Sequence, residues 1–235
     1  MPTLDRTMPI PLPIETERLL VRPFVPHTDS ESMIAVYCDP EVMRYIPGGA
    51  LSAESVRATL EEYAQAHEER GFSSWALIER ASGRLIGDTG FDIFAPTGEI
   101  ELGYTLARAA WGQGYATEAA KACLAAGLEH LGVTRIIAVV DIDNETSQRV
   151  AERIGMARVE TIEAHGRPHV LFGAGPPDFP TSAHPAHPHA RSTALDHRFA
   201  FDHSTRLAMN AQTCANTSDQ LCVLTLAKSH WLHRV

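Results

Sequence analysis

Glu99-Ile-Glu-Leu-Gly-Tyr-Thr-Leu-Ala-Arg-Ala-Ala-Trp-Gly-Gln-Gly-Tyr-Ala-Thr-Glu-Ala-Ala120 reads as a strand, a glycine-spaced turn and the start of a helix in immediate succession. Glu99 and Glu101 alternate with Ile100 and Leu102, so the two carboxylates share one face of the strand. Gly112 and Gly114 remove side chains where the backbone turns, and the helix that follows opens with free N–H groups at the positive end of its dipole. Such a turn can cradle a phosphate without a lysine. On glycine spacing alone, a turn that merely packs a helix onto a sheet fits as well. Two nucleotide motifs are excluded. No lysine follows the glycines as a P-loop requires, and Tyr115-Ala116-Thr117 after Gly114 breaks the dinucleotide-binding spacing.

Outward from this stretch the chain alternates strand and helix patterns. Arg18–Arg22 has the character of a short strand ended by Pro23. Thr28 or Asp29 is placed to cap a helix through about Tyr37, and Asp39-Pro40 to begin a short second helix. Ser52 caps a longer helix that Gly71 closes. Ser74–Glu79, Leu85–Asp92 and Glu99–Leu106 read as strands, followed by a helix from about Ala116 to His130. Arg135–Val140 is an apolar strand of the kind buried within a sheet. Asn144–Ile154 is a helix stopped by Gly155. Ala157–Glu163 and His169–Phe172 are closing strands around a Gly166-Arg167-Pro168 turn. The order predicts one mixed α/β domain over 14–172, preceded by a flexible proline-rich leader over 1–13.

The 235 residues suit one domain plus an appendage, and 44% apolar with 21% charged residues is the composition of a water-soluble domain with a real core. No apolar run nears the ~20 residues that cross a bilayer, and the N-terminus carries no secretory pattern. Four cysteines without a close pair point to free thiols in a reduced, cytoplasmic setting. A formal charge of -9 disfavours a nucleic-acid partner and suits an amine substrate.

Trp111-Gly-Gln-Gly-Tyr-Ala116 resembles the pyrophosphate loop of the GNAT acetyltransferases, Q/R-x-x-G-x-G/A. The preceding Leu-Gly-Tyr strand, the Ala-Thr-Glu-Ala helix start, Asp143-Asn144-Glu-Thr-Ser147…Glu152-Arg-Ile-Gly155-Met156 and the opening Thr16-Glu-Arg-Leu-Leu-Val-Arg22 are similar to the RimJ/RimL-type branch. These motifs occur in the family's order from about 14 to 172. Two positions depart from the pattern. Trp111 stands where the loop motif has Gln or Arg, and Ala151 stands where many members carry a general-acid tyrosine.

The resemblance implies a GNAT-like, mostly antiparallel central sheet flanked by helices, with its fourth and fifth strands splayed apart. It implies an N-acetyltransferase that uses acetyl-CoA as co-substrate and no metal, acting on a primary amine of a protein N-terminus or small molecule, as a monomer or homodimer. The alternative is a non-catalytic acyl-CoA-binding regulatory module on the same fold. Leu106, Trp111, Gly112, Gln113, Gly114, Tyr115, Ala116, Thr117, Asn144 and Ser147 are then the cofactor-binding candidates, with N–H groups near Leu106 as oxyanion donors. Glu101 is the first candidate for general base and Glu99 the second, and Ser147 is the candidate acid or orienter beside the sulfur. Solvated strand residues are the plainer account of the glutamates, and helix capping that of Asn144. Tyr104 is open between substrate contact and packing, and Cys123 reads as a buried small residue.

Beyond Phe172 the texture changes. Seven of the twelve histidines and no glutamate lie there, so 173–235 is a low-order tail of unknown role. Its His184-Pro-Ala-His187-Pro-His189 run lacks the second cluster that a closed metal site needs. Disorder and a shifted reading frame in a GC-rich gene are both open for this segment.

Overall fold

Ser52 places its hydroxyl to accept the Ser55 N–H, and from that cap a helix runs over Ala53–Arg70 until Gly71, at φ 77°, ends it with a left-handed turn. The computed structural model describes residues 9–175. Eight strands appear: β1 Ile14–Glu15, β2 Leu19–Arg22, β3 Ser74–Glu79, β4 Arg84–Phe94, β5 Glu99–Leu106, β6 Ile136–Asp141, β7 Ala157–Ala164 and β8 Arg167–Ala174. Four helices accompany them: α1 Pro26–Tyr37, α2 Ala53–Arg70, α3 Tyr115–His130 and α4 Glu145–Arg153. The strands form one sheet in the order β1-β2-β3-β4-β5-β6-β8-β7.

All neighbours are antiparallel except β5 and β6. That parallel pair is joined only at Ile100 with Ile136 and Glu101 with Ile137, so the two strands diverge beyond their first residues. On one face, side chains such as Trp75, Phe91, Ile100 and Ile136 pack with Ala119, Cys123 and Leu124 of α3 and with Val150 of α4. On the other, Ala76 and Ile78 meet Met33 and Val36 of α1 and Val56 and Leu60 of α2. Full burial of a side chain such as Leu60 is worth about 2 kcal/mol by area.

Four local expectations change. The 39–46 segment forms successive turns instead of a second helix. The Asp39 carboxylate accepts the Glu41 N–H and the Arg108 guanidinium, which favours a turn, while Met43 is drawn into the α1–α2 cluster. Helix α1 starts at Pro26, whose missing N–H costs nothing at a first helical position. Asp29 is therefore inside the helix, where it accepts the Val25 N–H and pairs with Arg22. Of the leader, residues 9–13 are described, and Ile10 is buried in the main core with its N–H on the Gly71 carbonyl.

The last hairpin turns at His165-Gly166, not at 166–168. Both residues have positive φ, 53° and 74°, the requirement of a two-residue turn whose twist matches its strands. β8 consequently runs from Arg167 to Ala174. The tail expected over 173–235 lies, beyond residue 175, outside the described residues, as does the 184–189 histidine run.

Candidate functional site

The glycine loop has the backbone that its sequence suggests. Gly112 and Gly114 hold φ of 74° and 79°, a region costly for residues with a Cβ. Gly114 flanks α3 without any side-chain cap, and the first helical bond comes from the Glu118 N–H to the Gly114 carbonyl. The N–H groups of Tyr115, Ala116 and Thr117 thus lie in the first turn with no intrahelical acceptor, a ready anion site.

A bracket from β2 holds this loop. Arg18 donates to the Gln113 carbonyl at 2.8 Å and to the Glu118 carboxylate at 2.7 Å, and Glu118 also accepts from Thr16 and the Arg18 N–H. The guanidinium lies 4.6 Å from the centre of the Tyr115 ring. Gln113 spends its amide on the Ala109 carbonyl. The Tyr115 hydroxyl donates to Glu79, and hydrogen bonds from Ser82, Tyr115 and Arg84 draw the Glu79 carboxyl down to about 2. The Tyr115 side chain therefore serves packing, and its N–H is what it offers the loop.

The second part of the site is the gap between β5 and β6. Residues lining it include Glu101, Leu102, Gly103 and Tyr104 from β5, and Ala138 to Asp141 from β6. Asn144, Ser147 and Ala151 close it from α4, Tyr45, Ile46 and Pro47 from the loop before α2, and His165 and His169 from the last hairpin. The Thr105 carbonyl lies against Gly87 of β4, so by strand alternation the N–H and carbonyl of Leu106 turn to the opposite, open edge. The Trp111 indole N–H takes that carbonyl at 2.8 Å while the ring stays 47% exposed. The Leu106 N–H is on the same open edge, available to a ligand that extends the sheet.

The candidate residues fall into two groups. Glu101, Asn144 and Ser147 line one cleft, whereas Leu106 and 111–117 form the corner and loop beyond it. Glu101 is 9% exposed and lies opposite Asp92 of β4. Glu99 does not line the cleft; it pairs with Arg135 at 2.6 Å. Asn144 caps α4 by accepting the Ser147 N–H at 3.1 Å, which leaves its amide N–H groups for another partner. Cys123 is buried against Thr89, and burial pushes its thiol up to about 12, far from a nucleophile.

Sequence reasoning passed over Tyr45, Asp141, His165 and His169 as site residues. Tyr104 gains definition: its hydroxyl donates to the Ser147 carbonyl at 3.3 Å, and burial pushes the phenol up to about 12. Gly166 signals the hairpin turn, while the pairing of β8 with β6 is what brings His165 to the cleft. Among the described residues no group of three or more His, Cys, Asp and Glu side chains is arranged to hold a metal, and no helix is long and apolar enough to cross a membrane.

Comparison with known proteins adds a family to this geometry. The profile described as "Acetyltransferase (GNAT) domain" matches residues 18–157. The Bacillus subtilis (strain 168) protein YkkB is 32% identical over 163 residues, which is 67% of this chain and 92% of YkkB. A GNAT-family acetyltransferase from Bacillus anthracis superposes with a TM-score of 0.62 at 29% identity, covering 70% of this chain and 98% of that one. RimL, a ribosomal L7/L12 alpha-N-protein acetyltransferase in complex with coenzyme A, shares the fold with a TM-score of 0.60 at 17% identity, covering 70% and 98%.

Proposed function

The chain belongs to the GNAT acetyltransferase family, and from that premise we propose that it transfers an acetyl group from acetyl-CoA to a primary amine of a small molecule or protein N-terminus. The observation that carries this reading is the divergence of β5 from β6 after only two paired positions. An open strand edge between them fits a pantetheine arm, whose amides can bond the backbone as a strand would. The left-handed glycines and the uncapped start of α3 fit the pyrophosphate. The bound co-substrate supplies the activated thioester; the rest falls to residues of this chain.

Three tasks follow. Glu101, at the closed end of the cleft, is the proposed base that relieves the attacking amine of its proton, directly or through water. The open-edge N–H of Leu106 and its neighbours would stabilise negative charge on the carbonyl oxygen. The departing sulfur needs a proton or a donor. Ala151 has no hydroxyl to offer, but Ser147 of α4 and Tyr104 of β5 both line the cleft, and burial raises the Tyr104 phenol to about 12. Asn144, with its cap made by Oδ1, retains amide donors for the pantetheine. Catalysis is assigned to the domain over 14–172.

The test is thiol release from acetyl-CoA in the presence of a panel of primary amines. Release that depends on the amine supports the reading. Tight coenzyme A binding with no release across the panel would favour a non-catalytic acyl-CoA-binding module, which Ala151 in place of the tyrosine keeps in play.

A further inference from the structure

We propose that the acceptor is a primary amine carrying no carboxylate near the amine, and that His165 and His169 form the cleft wall that admits it. The inference rests on the acetyl-transfer reading and narrows its acceptor to peptide-like amines and alkylamines, excluding free amino acids.

The first argument is charge. Among the described residues, the ionisable groups lining the cleft are Glu101, Asp141, His165, His169, Tyr45 and Tyr104, with no Arg or Lys among them. Arginines around this wall already pair with carboxylates. Arg167 pairs with Asp141 at 3.0 Å and with Asp143 at 3.4 Å, and Arg44 pairs with Glu41 at 2.8 Å. Arg70, across the sheet, faces Asp92 at 3.7 Å. An ammonium entering here meets carboxylates and aromatic rings. A carboxylate beside it would meet no cation among these lining residues and would lose its water as well.

The second argument is the placement of the histidines. His169 is only 4% exposed, and its Nδ1 donates to the Arg167 carbonyl oxygen at 2.9 Å, which fixes the ring in the wall. His165 stands edge-on to His169, ring centres 5.7 Å apart, on the turn at the mouth. Partial burial and the neighbouring His169 hold the His165 pKa below 6.5.

The test is calorimetric titration of the full chain saturated with coenzyme A. The probes are alaninamide against alanine, and propylamine against β-alanine. The expected result is that each carboxylate-free member binds at least about tenfold more tightly than its acid at pH 7.5. His165→Arg, on the exposed turn, places a fixed cation at the mouth and should narrow that preference. Equal or tighter binding of the acids overturns the proposal, as does no binding of the carboxylate-free members or an unaltered preference in His165→Arg. Selective binding without turnover would instead count against acetyl transfer alone.

Discussion

The Tyr104 hydroxyl donates to the Ser147 carbonyl across 3.3 Å, which ties the diverging strand β5 to the first turn of α4. Burial raises the phenol to about 12. Tyr104→Phe retains the ring and removes the proton. The expected outcome is a fall in kcat of about 100-fold with KM for acetyl-CoA within about twofold, measured by steady-state thiol release. A parallel rise in KM with unchanged kcat would mean that the hydroxyl binds and does not protonate.

Glu101 and Glu99 point to the same side of β5 but meet different surroundings. Glu101→Gln is expected to lower kcat by about 100-fold while the thermal midpoint moves little. Glu99→Gln breaks the part-buried pair with Arg135, so it should cost about 1 kcal/mol of stability and leave kcat near wild type. Combined kinetics and thermal melts of the two variants separate these roles. Equal kcat losses would remove the distinction.

At Gly114 a Cβ would meet only the Arg18 Nη2 at 3.5 Å, an ordinary contact, so space is not the obstacle. The obstacle is φ of 79°. Gly114→Ala should therefore cost about 1–2 kcal/mol locally and weaken coenzyme A binding by about tenfold, as calorimetry would register. Affinity at the wild-type level would show that the loop's left-handed turn is not part of the anion site.

His67 accepts the indole N–H of fully buried Trp75 through Nδ1, at 3.3 Å. Burial holds its pKa below 6.5, so the unfolded chain binds the proton more readily. The stabilisation is present above pH 6.5 and is lost as pH falls through the lower folded value. Wild type should lose thermal stability between neutrality and about pH 5 more steeply than His67→Gln. Parallel slopes in the two proteins would contradict this.

The last strand of the described residues ends at Ala174, and the cores described are built from residues 10–174. A chain ended at residue 175 is expected to keep its thermal midpoint within about 3 °C and its kcat within about twofold. A larger loss in scanning calorimetry would assign 176–235 a part in the domain.

Some features were legible because the physics behind them is local. Ser52 and Gly71 announce a helix by a cap and a left-handed stop, each acting within one turn of chain. Gly112 and Gly114 likewise carry their backbone requirement in their own residue type. The turns over 39–46 were not legible in the same way. Arg108, which takes the Asp39 carboxylate, lies far along the chain, and no pattern near Asp39 signals it. Tyr104 reads equally well as packing or chemistry until Ser147 is brought beside it.

By itself the sequence determined the order of strands and helices apart from the short strand at Ile14–Glu15 and the helix expected at 39–46, together with the glycine loop before α3 and the family motifs, since periodicity, caps and positive-φ glycines act between near neighbours. Only the tertiary structure decided which carboxylate lines the cleft, because that depends on where β5 parts from β6. Only it brought Tyr45 and the hairpin residues His165 and His169 from two distant segments to the same opening. Long-range packing sets those positions, and no local preference of the chain encodes them.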